Sequence, residues 1–255
     1  MFVNKIFQGV YNLKKATKSS LLFNINSMRK VILYCLFSLS ALSSCKKEIR
    51  PQKGGIDLIS SIYINASKNL ENTQSFHISK LNYSNDTIIE LVPNISNQMI
   101  TEEVLFIKDS LFYSLRTPAD TETNTILDVV ENRTPTSVYS ENKKGAIFSK
   151  HRIPNYHHKR DLKDTILFNK TYKRFEINSP QSYSRYYVYK TDTLLPYSLY
   201  RHAEIDYKGR IERIDTYNKK QDIFVTLQLL PRNNWDEEAK DIFQFNSFIK
   251  KKVKK

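Results

Sequence analysis

Cysteine is nearly absent from this 255-residue chain, which holds only Cys35 and Cys45. The sequence after Cys45 therefore excludes disulfides, zinc–thiolate sites and cysteine nucleophiles. Glycine is almost as rare, and the four glycines that follow Cys45 cannot form a phosphate-binding P-loop or a dinucleotide-binding fingerprint. The sequence also lacks a G-x-S-x-G elbow and an H-E-x-x-H motif. These absences predict a protein that is not an enzyme and needs no cofactor.

Acidic residues are missing from the start of the chain, because residues 1–44 contain six lysines and arginines but no aspartate or glutamate. The whole chain has 40 basic and 26 acidic residues. Without the first 44 residues, 34 basic residues remain against the same 26 acidic ones, a net charge of +8. Five of those positive charges are lysines at the C-terminus, which predicts a frayed basic tail over residues 250–255.

A secretory signal is predicted near the N-terminus. Arg29 and Lys30 precede an apolar run over residues 31–41, and small residues follow it. As a helix, this run would be about 16 Å long, roughly half of the hydrocarbon thickness of a bilayer. We therefore expect a signal peptide that is removed and not a membrane span. Met28 is the expected translation start, which makes residues 1–27 an extension.

Leu42-Ser43-Ser44-Cys45 resembles the lipobox of bacterial lipoproteins. The resemblance implies that Cys45 becomes the mature N-terminus and carries acyl chains such as palmitate, which anchor the protein because each buried methylene contributes about 0.8 kcal/mol. Lys46 and Lys47 follow, where an aspartate would favour retention in the inner membrane. The resemblance therefore implies a lipoprotein of the cell envelope, at the outer membrane. Lys46-Lys47-Glu48 is also similar to the charged export signal that some Bacteroidetes-type lipoproteins carry. The sequence leaves open whether the protein faces the periplasm or the medium.

After the anchor we expect a linker over residues 45–55 and a single β-rich domain over residues 56–249. Apolar residues recur every three or four positions between Ile56 and Leu70, which predicts an amphipathic helix that ends near Asn72. The period then changes to two, which predicts strands, most clearly at residues 182–190 and 222–229.

Turn residues between the apolar segments predict an antiparallel sheet of eight to ten strands. Asp109 and Ser110 mark one turn, and Lys208-Gly209 suits a two-residue hairpin with a bulge near Ile211. The expected fold class is α+β and β-rich, with an N-terminal helix followed by a curved antiparallel sheet that forms a half-barrel.

A helix followed by an antiparallel meander behind a lipobox resembles the LolA and LolB families of lipoprotein carriers. Leu194-Leu195-Pro196-Tyr197 and the glycine-containing turn at 207–210 carry the resemblance. It implies a sheet and helix that enclose an apolar cavity for acyl chains.

Two groups of side chains are candidates for contact with a ligand or with lipid headgroups. Three histidines in the basic stretch 149–160 could bind a metal, but the surrounding cations would repel it, so no metal site is predicted. The stretch is either a solvated loop or a contact for anionic headgroups or glycans. The strand tyrosines either border a core or offer apolar faces to a ligand. The candidates are Tyr187, Tyr189, His157, His158, Lys159 and Arg160.

Three functional hypotheses follow. The first is a lipid-anchored, non-enzymatic envelope protein that binds an apolar or amphipathic ligand, such as a lipid or glycan, or a partner protein. The second is a structural or interaction module of an envelope complex without a ligand cavity. The third is an envelope hydrolase with dispersed carboxylates. None of them involves nucleic acid.

Overall fold

The computed structural model describes residues 48–68, 70, 73–116 and 125–253, with side chains as far as residue 247. The predicted signal peptide and Cys45 lie outside the described residues, as do Lys254 and Lys255.

The described chain forms one open, curved antiparallel sheet of eleven strands in the order β6-β5-β4-β3-β2-β1-β11-β10-β9-β8-β7. This confirms the predicted β-rich antiparallel architecture and exceeds the predicted strand number. β1 lies at the centre of the sheet, because the chain meanders away from one side of β1 and returns to pair β11 with the other side. The strands are β1 (Lys53–Ile64), β2 (Thr73–Ser84), β3 (Thr87–Pro93), β4 (Thr101–Lys108), β5 (Leu111–Arg116), β6 (Thr136–Ser137), β7 (Arg160–Leu167), β8 (Lys170–Asn178), β9 (Ser182–Tyr189), β10 (Arg210–Asn218) and β11 (Ile223–Arg232).

Three helices accompany the sheet within the described residues: α1 (Ile126–Asn132), α2 (Arg201–Tyr207) and α3 (Glu237–Val253). Helix α1 begins with a capping interaction, because the Thr125 side chain accepts a hydrogen bond from the backbone N–H of Asp128. Helix α3 carries Glu237 and Glu238 in its first turn, where negative charge complements the helix dipole. It extends through residues 250–253, which belong to the predicted basic tail.

The helix predicted from Ile56 to Asn72 is wrong, because residues 53–64 form strand β1. β1 carries apolar residues on both of its faces, since Ile56 and Leu58 lie on one face and Ile59 on the other, so its apolar residues do not simply alternate with polar ones. Ile56 and Leu58 are fully buried, while Ile59 and Ile62 also contribute apolar side chains to the strand. Their combined spacing imitates the helical period. β1 also takes in Gly54 and Gly55, which the linker prediction had placed outside the domain.

The predicted β-hairpin at Lys208-Gly209 is also wrong. The segment before it forms helix α2, and Lys208 adopts a left-handed conformation that ends this helix. The backbone N–H of Gly209 then donates a hydrogen bond to the carbonyl of Glu204. The predicted bulge is confirmed, because the β9–β10 register shifts between Ile211 and Arg213.

The sheet carries most of its apolar side chains on one face, here called the large-core face. Segment 138–156 and the chain from Leu195 through α2 cover this face and fill it with their own side chains. The cavity that the carrier resemblance implies therefore has its place occupied by the protein itself. The buried side chains include Ile56, Leu81, Leu105, Phe175 and Ile211 from the strands and Val138, Ala146, Ile153, Leu195, Tyr197 and Ala203 from the covering segments.

A buried ion pair holds segment 138–156 against the sheet. The Glu90 side chain on β3 is fully buried, and its Oε2 accepts a hydrogen bond of 2.6 Å from Lys143 Nζ. Its Oε1 accepts hydrogen bonds from Ser79 Oγ at 2.8 Å and from the backbone N–H of Ala146 at 2.6 Å. Gly145 has a φ of +76° and packs so closely on Glu90 that a Cβ would collide with the carboxylate. The Glu90 carboxylate therefore binds Ser79, Lys143 and Ala146 together, and its closeness to Gly145 leaves no space for a side chain there.

We expect Lys143→Met to destabilise the fold by about 3–5 kcal/mol, because it leaves the buried Glu90 carboxylate without its cation. Burial already raises the pKa of Glu90 and Lys143 counteracts that effect, so loss of Lys143 raises it further. A carboxyl group whose pKa is raised on folding binds protons more tightly in the folded state. The deficit should therefore shrink as the pH falls through the folded pKa. Chemical denaturation across a pH series measures it.

Two variants serve as controls for Lys143→Met. Lys144→Met removes the neighbouring lysine, whose exposed side chain pairs with Glu102 and Glu103, and should cost only about 0–1 kcal/mol. The double variant Glu90→Gln, Lys143→Met should recover much of the lost stability because it removes both charges. Equal effects of the two lysine substitutions would contradict a special role for the buried pair.

Candidate functional site

A cavity of about 750 Å³ lies on the face of the sheet opposite the large core. Phe106 on β4 and Tyr113 on β5 line it from the sheet, while α1 and α3 line it from above. A small second core below the helices, which includes Ile89 and Leu91, supports this arrangement. The volume falls within the roughly 300–1,000 Å³ that is typical of small-molecule pockets.

The cavity has an apolar wall that is partly open to solvent. Leu111, Leu127 and Val130 line it and remain 38%, 44% and 42% exposed. A monomeric protein gains by burying such side chains, since each square ångström of apolar surface removed from water contributes about 25 cal/mol. Their exposure at one concave site therefore favours an apolar ligand.

Polar residues lie along the same cavity at the ends of two hairpins. Asp86 belongs to the β2–β3 turn, and Lys108 and Asp109 lie where β4 turns into β5. All three are exposed. The site thus combines apolar walls with charged groups, a combination that suits an amphipathic molecule.

Trp235 is the single tryptophan of the chain and lines the cavity. Its Nε1 donates a hydrogen bond of 2.8 Å to the backbone carbonyl of Tyr83, and its ring packs on Phe243 with centroids 4.7 Å apart. Lys53 Nζ lies 6.0 Å from the ring centroid. Trp235 therefore anchors the late loop to the sheet, and its position in the cavity lining makes it a built-in reporter of the cavity.

Tyr187 and Tyr189 lie away from the cavity, on β9, where the predicted alternation is confirmed. Tyr186 and Val188 enter the large core, while Tyr187 and Tyr189 lie on the other face of the strand. This face of β7–β10 is here called the tyrosine surface. Its cross-strand partners are Tyr172, Arg174, Glu176, Tyr183, Arg185, Arg210, Arg213, Asp215 and Tyr217.

Several charges on the tyrosine surface are paired within the protein. Glu176 forms ion pairs with Arg160 and Arg185. Burial alone would raise the pKa of Glu176, but the hydrogen bonds from these two arginines lower it. Arg160 therefore shares a face with Tyr187 and has a structural partner. On the same surface, Glu212 accepts hydrogen bonds from Tyr172 Oη at 2.8 Å and Arg210 at 2.6 Å.

The other basic-stretch candidates lie apart from the two tyrosines. His157 and His158 form an exposed 3₁₀ turn, with ring centroids 3.9 Å apart. Lys159 Nζ lies 4.3 Å from the ring centroid of Tyr156, which packs on the large core. Among the residues that the structure describes, no group of three or more histidine, aspartate or glutamate side chains is arranged to hold a metal.

Sequence reasoning missed the cavity, although part of its frame had a signal. Thr125 and Asp128 match a capping pattern before an apolar segment, and Ala239, Ile242 and Phe243 have helical spacing. These signals could have predicted α1 and α3. The packing of both helices on β3–β5 depends on contacts between distant parts of the chain and has no local signal.

We expect Tyr172→Phe to lower the free energy of unfolding by roughly 1.5 kcal/mol, because it removes a hydrogen bond to the buried Glu212 carboxylate. Tyr189→Phe is the matched control, since Tyr189 pairs with Tyr172 across the two strands and its ring stays in place. It should change stability by about 0.5 kcal/mol or less. Urea denaturation of both variants measures the difference, and equal losses would show that the hydroxyl of Tyr172 has no special role.

No protein-family model and no curated protein matches the chain. Among solved structures, the Mycobacterium tuberculosis lipoprotein LppX is 4% identical with a TM-score of 0.32, covering 71% of this chain and 88% of that one. An outer membrane lipoprotein-sorting protein domain from Vibrio parahaemolyticus is 13% identical with a TM-score of 0.26, covering 74% of this chain and 89% of that one. At these TM-scores the similarity does not establish a common fold. No helix among the described residues has the length and apolar character needed to cross a membrane.

Proposed function

We propose that this protein is a lipid-anchored binding protein of the bacterial envelope that holds the apolar part of an amphipathic molecule in the cavity between α1, α3 and β4–β5. The observation that carries the proposal is the cavity itself, with an apolar wall that stays open at Leu111, Leu127 and Val130. The carrier resemblance suggested a ligand on the concave side of the sheet. The filled large core moves the proposed site to the opposite face.

The ligand chemistry follows from the distribution of polarity. An acyl or other hydrocarbon chain would lie against Phe106, Val130 and Phe243, where it would replace water on apolar surface. Its polar end would reach the charged turns, where Lys108 can pair with an anion and Asp86 with a cation. This is a non-enzymatic role, in which binding requires no chemical step.

Fluorescence quenching tests the proposed cavity. A dibrominated fatty acid bound there should quench the emission of Trp235 in a saturable way, because Trp235 lines the cavity and is the single tryptophan. The unbrominated fatty acid should compete and restore the emission. The proposal would be contradicted if none of the brominated lipids, with one acyl chain or with two, quenched Trp235.

A variant whose cavity is filled by a larger side chain serves as the matched comparison for this experiment. Val130→Phe adds bulk from α1 into the cavity without touching the buried Val129, and we expect it to weaken quenching at least tenfold in ligand concentration. Ile205→Phe places the same ring on an exposed position of α2, outside the cavity, and should leave quenching unchanged. Equal behaviour of the two variants would place the bound lipid elsewhere.

The anchor is tested at the N-terminus of the membrane-extracted protein. We expect mass spectrometry to find a mature chain that begins at an acylated Cys45. In Cys45→Ala the signal should stay uncleaved or the protein should be released from the membrane. An unmodified N-terminus near Met1 or Met28 would contradict the lipid anchor and the envelope location proposed with it.

An interaction module is the second candidate, and the filled large-core face favours it. In that case the partner would dock on the tyrosine surface, where Tyr189 and Tyr183 remain partly exposed among paired charges. Co-purification of a stable partner that Tyr189→Ala abolishes, together with an unquenched Trp235, would select this function over ligand binding.

A further inference from the structure

One end of the sheet, here called the tether end, gathers the start of the described chain and several turns. β1 begins there at Lys53, and the backbone N–H of Asn85 in the β2–β3 turn donates a hydrogen bond to the carbonyl of Gln52. Ile49 forms a bridge with Thr193, which follows β9. The antiparallel order places the β4–β5 and β7–β8 turns at this same end.

The tether end lies close to the predicted anchor. Only Lys46 and Lys47 lie between Cys45 and Glu48. The three steps from Cys45 to Glu48 span at most about 11 Å when the chain is fully extended. An acyl group on Cys45 would therefore hold this end, and not the opposite one, at the bilayer surface. Ile49 lies between this short segment and the start of β1, and its side chain is 59% exposed.

The β7–β8 hairpin presents unusual apolar exposure at the tether end. Phe168 is 70% exposed at the tip, and Ile166 is 71% exposed beside it. The hairpin extends past the Tyr172–Tyr189 pair, where β9 ends, so its tip projects beyond its neighbouring strand.

The backbone conformation at Phe168 is unusual for an aromatic residue. Phe168 and Asn169 have φ values of 50° and 59°, as a two-residue turn with left-handed residues requires. Asn accepts that conformation readily, whereas an aromatic residue pays a steric cost in it. The sequence thus keeps a strained, solvent-exposed aromatic ring at a tip where asparagine or glycine would suit the backbone better. A lipid headgroup layer is an environment that rewards such a ring.

We infer that the tether end rests on the membrane, with the β7–β8 hairpin inserting Phe168 and Ile166 among the lipid headgroups as a second contact beside the lipid anchor. This inference rests on the anchor at Cys45 in the proposed function. It places the charged turns of the cavity, at Asp86 and Lys108, on the membrane side of the domain. A ligand would then enter from the bilayer to which the protein is attached.

Exposed charges of both signs mix at the tether end, so apolar contact and not headgroup charge drives the association. The exposed basic residues there include Arg50, Lys53, Lys108, Lys190 and Lys208, and the exposed acidic residues include Glu48, Asp86, Asp109 and Asp192. The contact should therefore form on zwitterionic as well as on anionic vesicles. A contact that appears only on anionic vesicles would overturn the apolar mechanism.

The opposite end of the sheet offers a matched control. The β3–β4 loop lies there, and its Ile95 is 72% exposed, almost the same as Ile166. Ile166→Cys and Ile95→Cys therefore place a spin label on the same residue type at equal exposure, one at each end. The domain itself contains no other cysteine after Cys45.

The experiment uses the mature protein, with acylated Cys45 verified by mass spectrometry, in phosphatidylcholine vesicles. The measured quantity is the collision rate of the label with oxygen, which concentrates in lipid, relative to a water-soluble nickel chelate. We expect this ratio to be several-fold higher at position 166 than at position 95. Adding Phe168→Asn should bring the ratio at position 166 down to the value at position 95 without lowering the melting temperature, because asparagine fits the left-handed turn.

The outcomes separate this inference from the proposed function. Equal ratios at both positions, or a ratio that Phe168→Asn leaves unchanged, would overturn the membrane contact, as would an unacylated Cys45. If the ratios are equal while a brominated fatty acid still quenches Trp235, the cavity proposal stands and the contact fails. If the label lies in lipid but Trp235 is never quenched, the contact stands and the cavity proposal fails.

Discussion

The buried carboxylate of Glu90 is the constraint around which the two faces of the sheet are arranged. Taking a carboxylate and an ammonium group out of water costs several kcal/mol for each ion, so both must find partners at once. The ammonium group of Lys143 finds its partners by donating hydrogen bonds to Glu90 and to the backbone carbonyls of Lys144 and Ala146, the last two at 2.9 and 3.0 Å. Segment 138–156 is thereby fixed over the large core. The cavity lies on the opposite face of the sheet.

Local periodicity predicted those parts of the fold in which one strand face is solvated. β9 and β11 alternate, and both strands were predicted close to their observed bounds. The prediction for β1 was wrong, because this strand carries apolar residues on both faces and the spacing of Ile56, Ile59 and Ile62 then imitates a helix. The Lys208-Gly209 turn was misread for a related reason, since glycine after a left-handed residue serves a helix end as well as a hairpin.

The cavity could not be predicted, because no short stretch of sequence contains it. Phe106, Val130 and Trp235 come from a strand, a short helix and a late loop, and the packing of α1 and α3 on β3–β5 brings them together. The candidate residues chosen from composition meet only in part. Tyr187 and Arg160 share the tyrosine surface, whereas His157, His158 and Lys159 lie elsewhere. Segments rich in aromatic and basic residues therefore formed surfaces that are part of the protein's own structure, and none of the candidate residues lines the cavity.

The position of β1 at the centre of the sheet also has a mechanical consequence. β1 pairs with β2 on one side and β11 on the other along most of its length, so a pull on its N-terminus acts along two ladders of backbone hydrogen bonds. Those bonds lie perpendicular to the strand and share the load, and the pull must break two ladders where an edge strand has only one. The strand whose apolar spacing imitates a helix thus resists force applied at its N-terminus, as the proposed anchor at Cys45 would require.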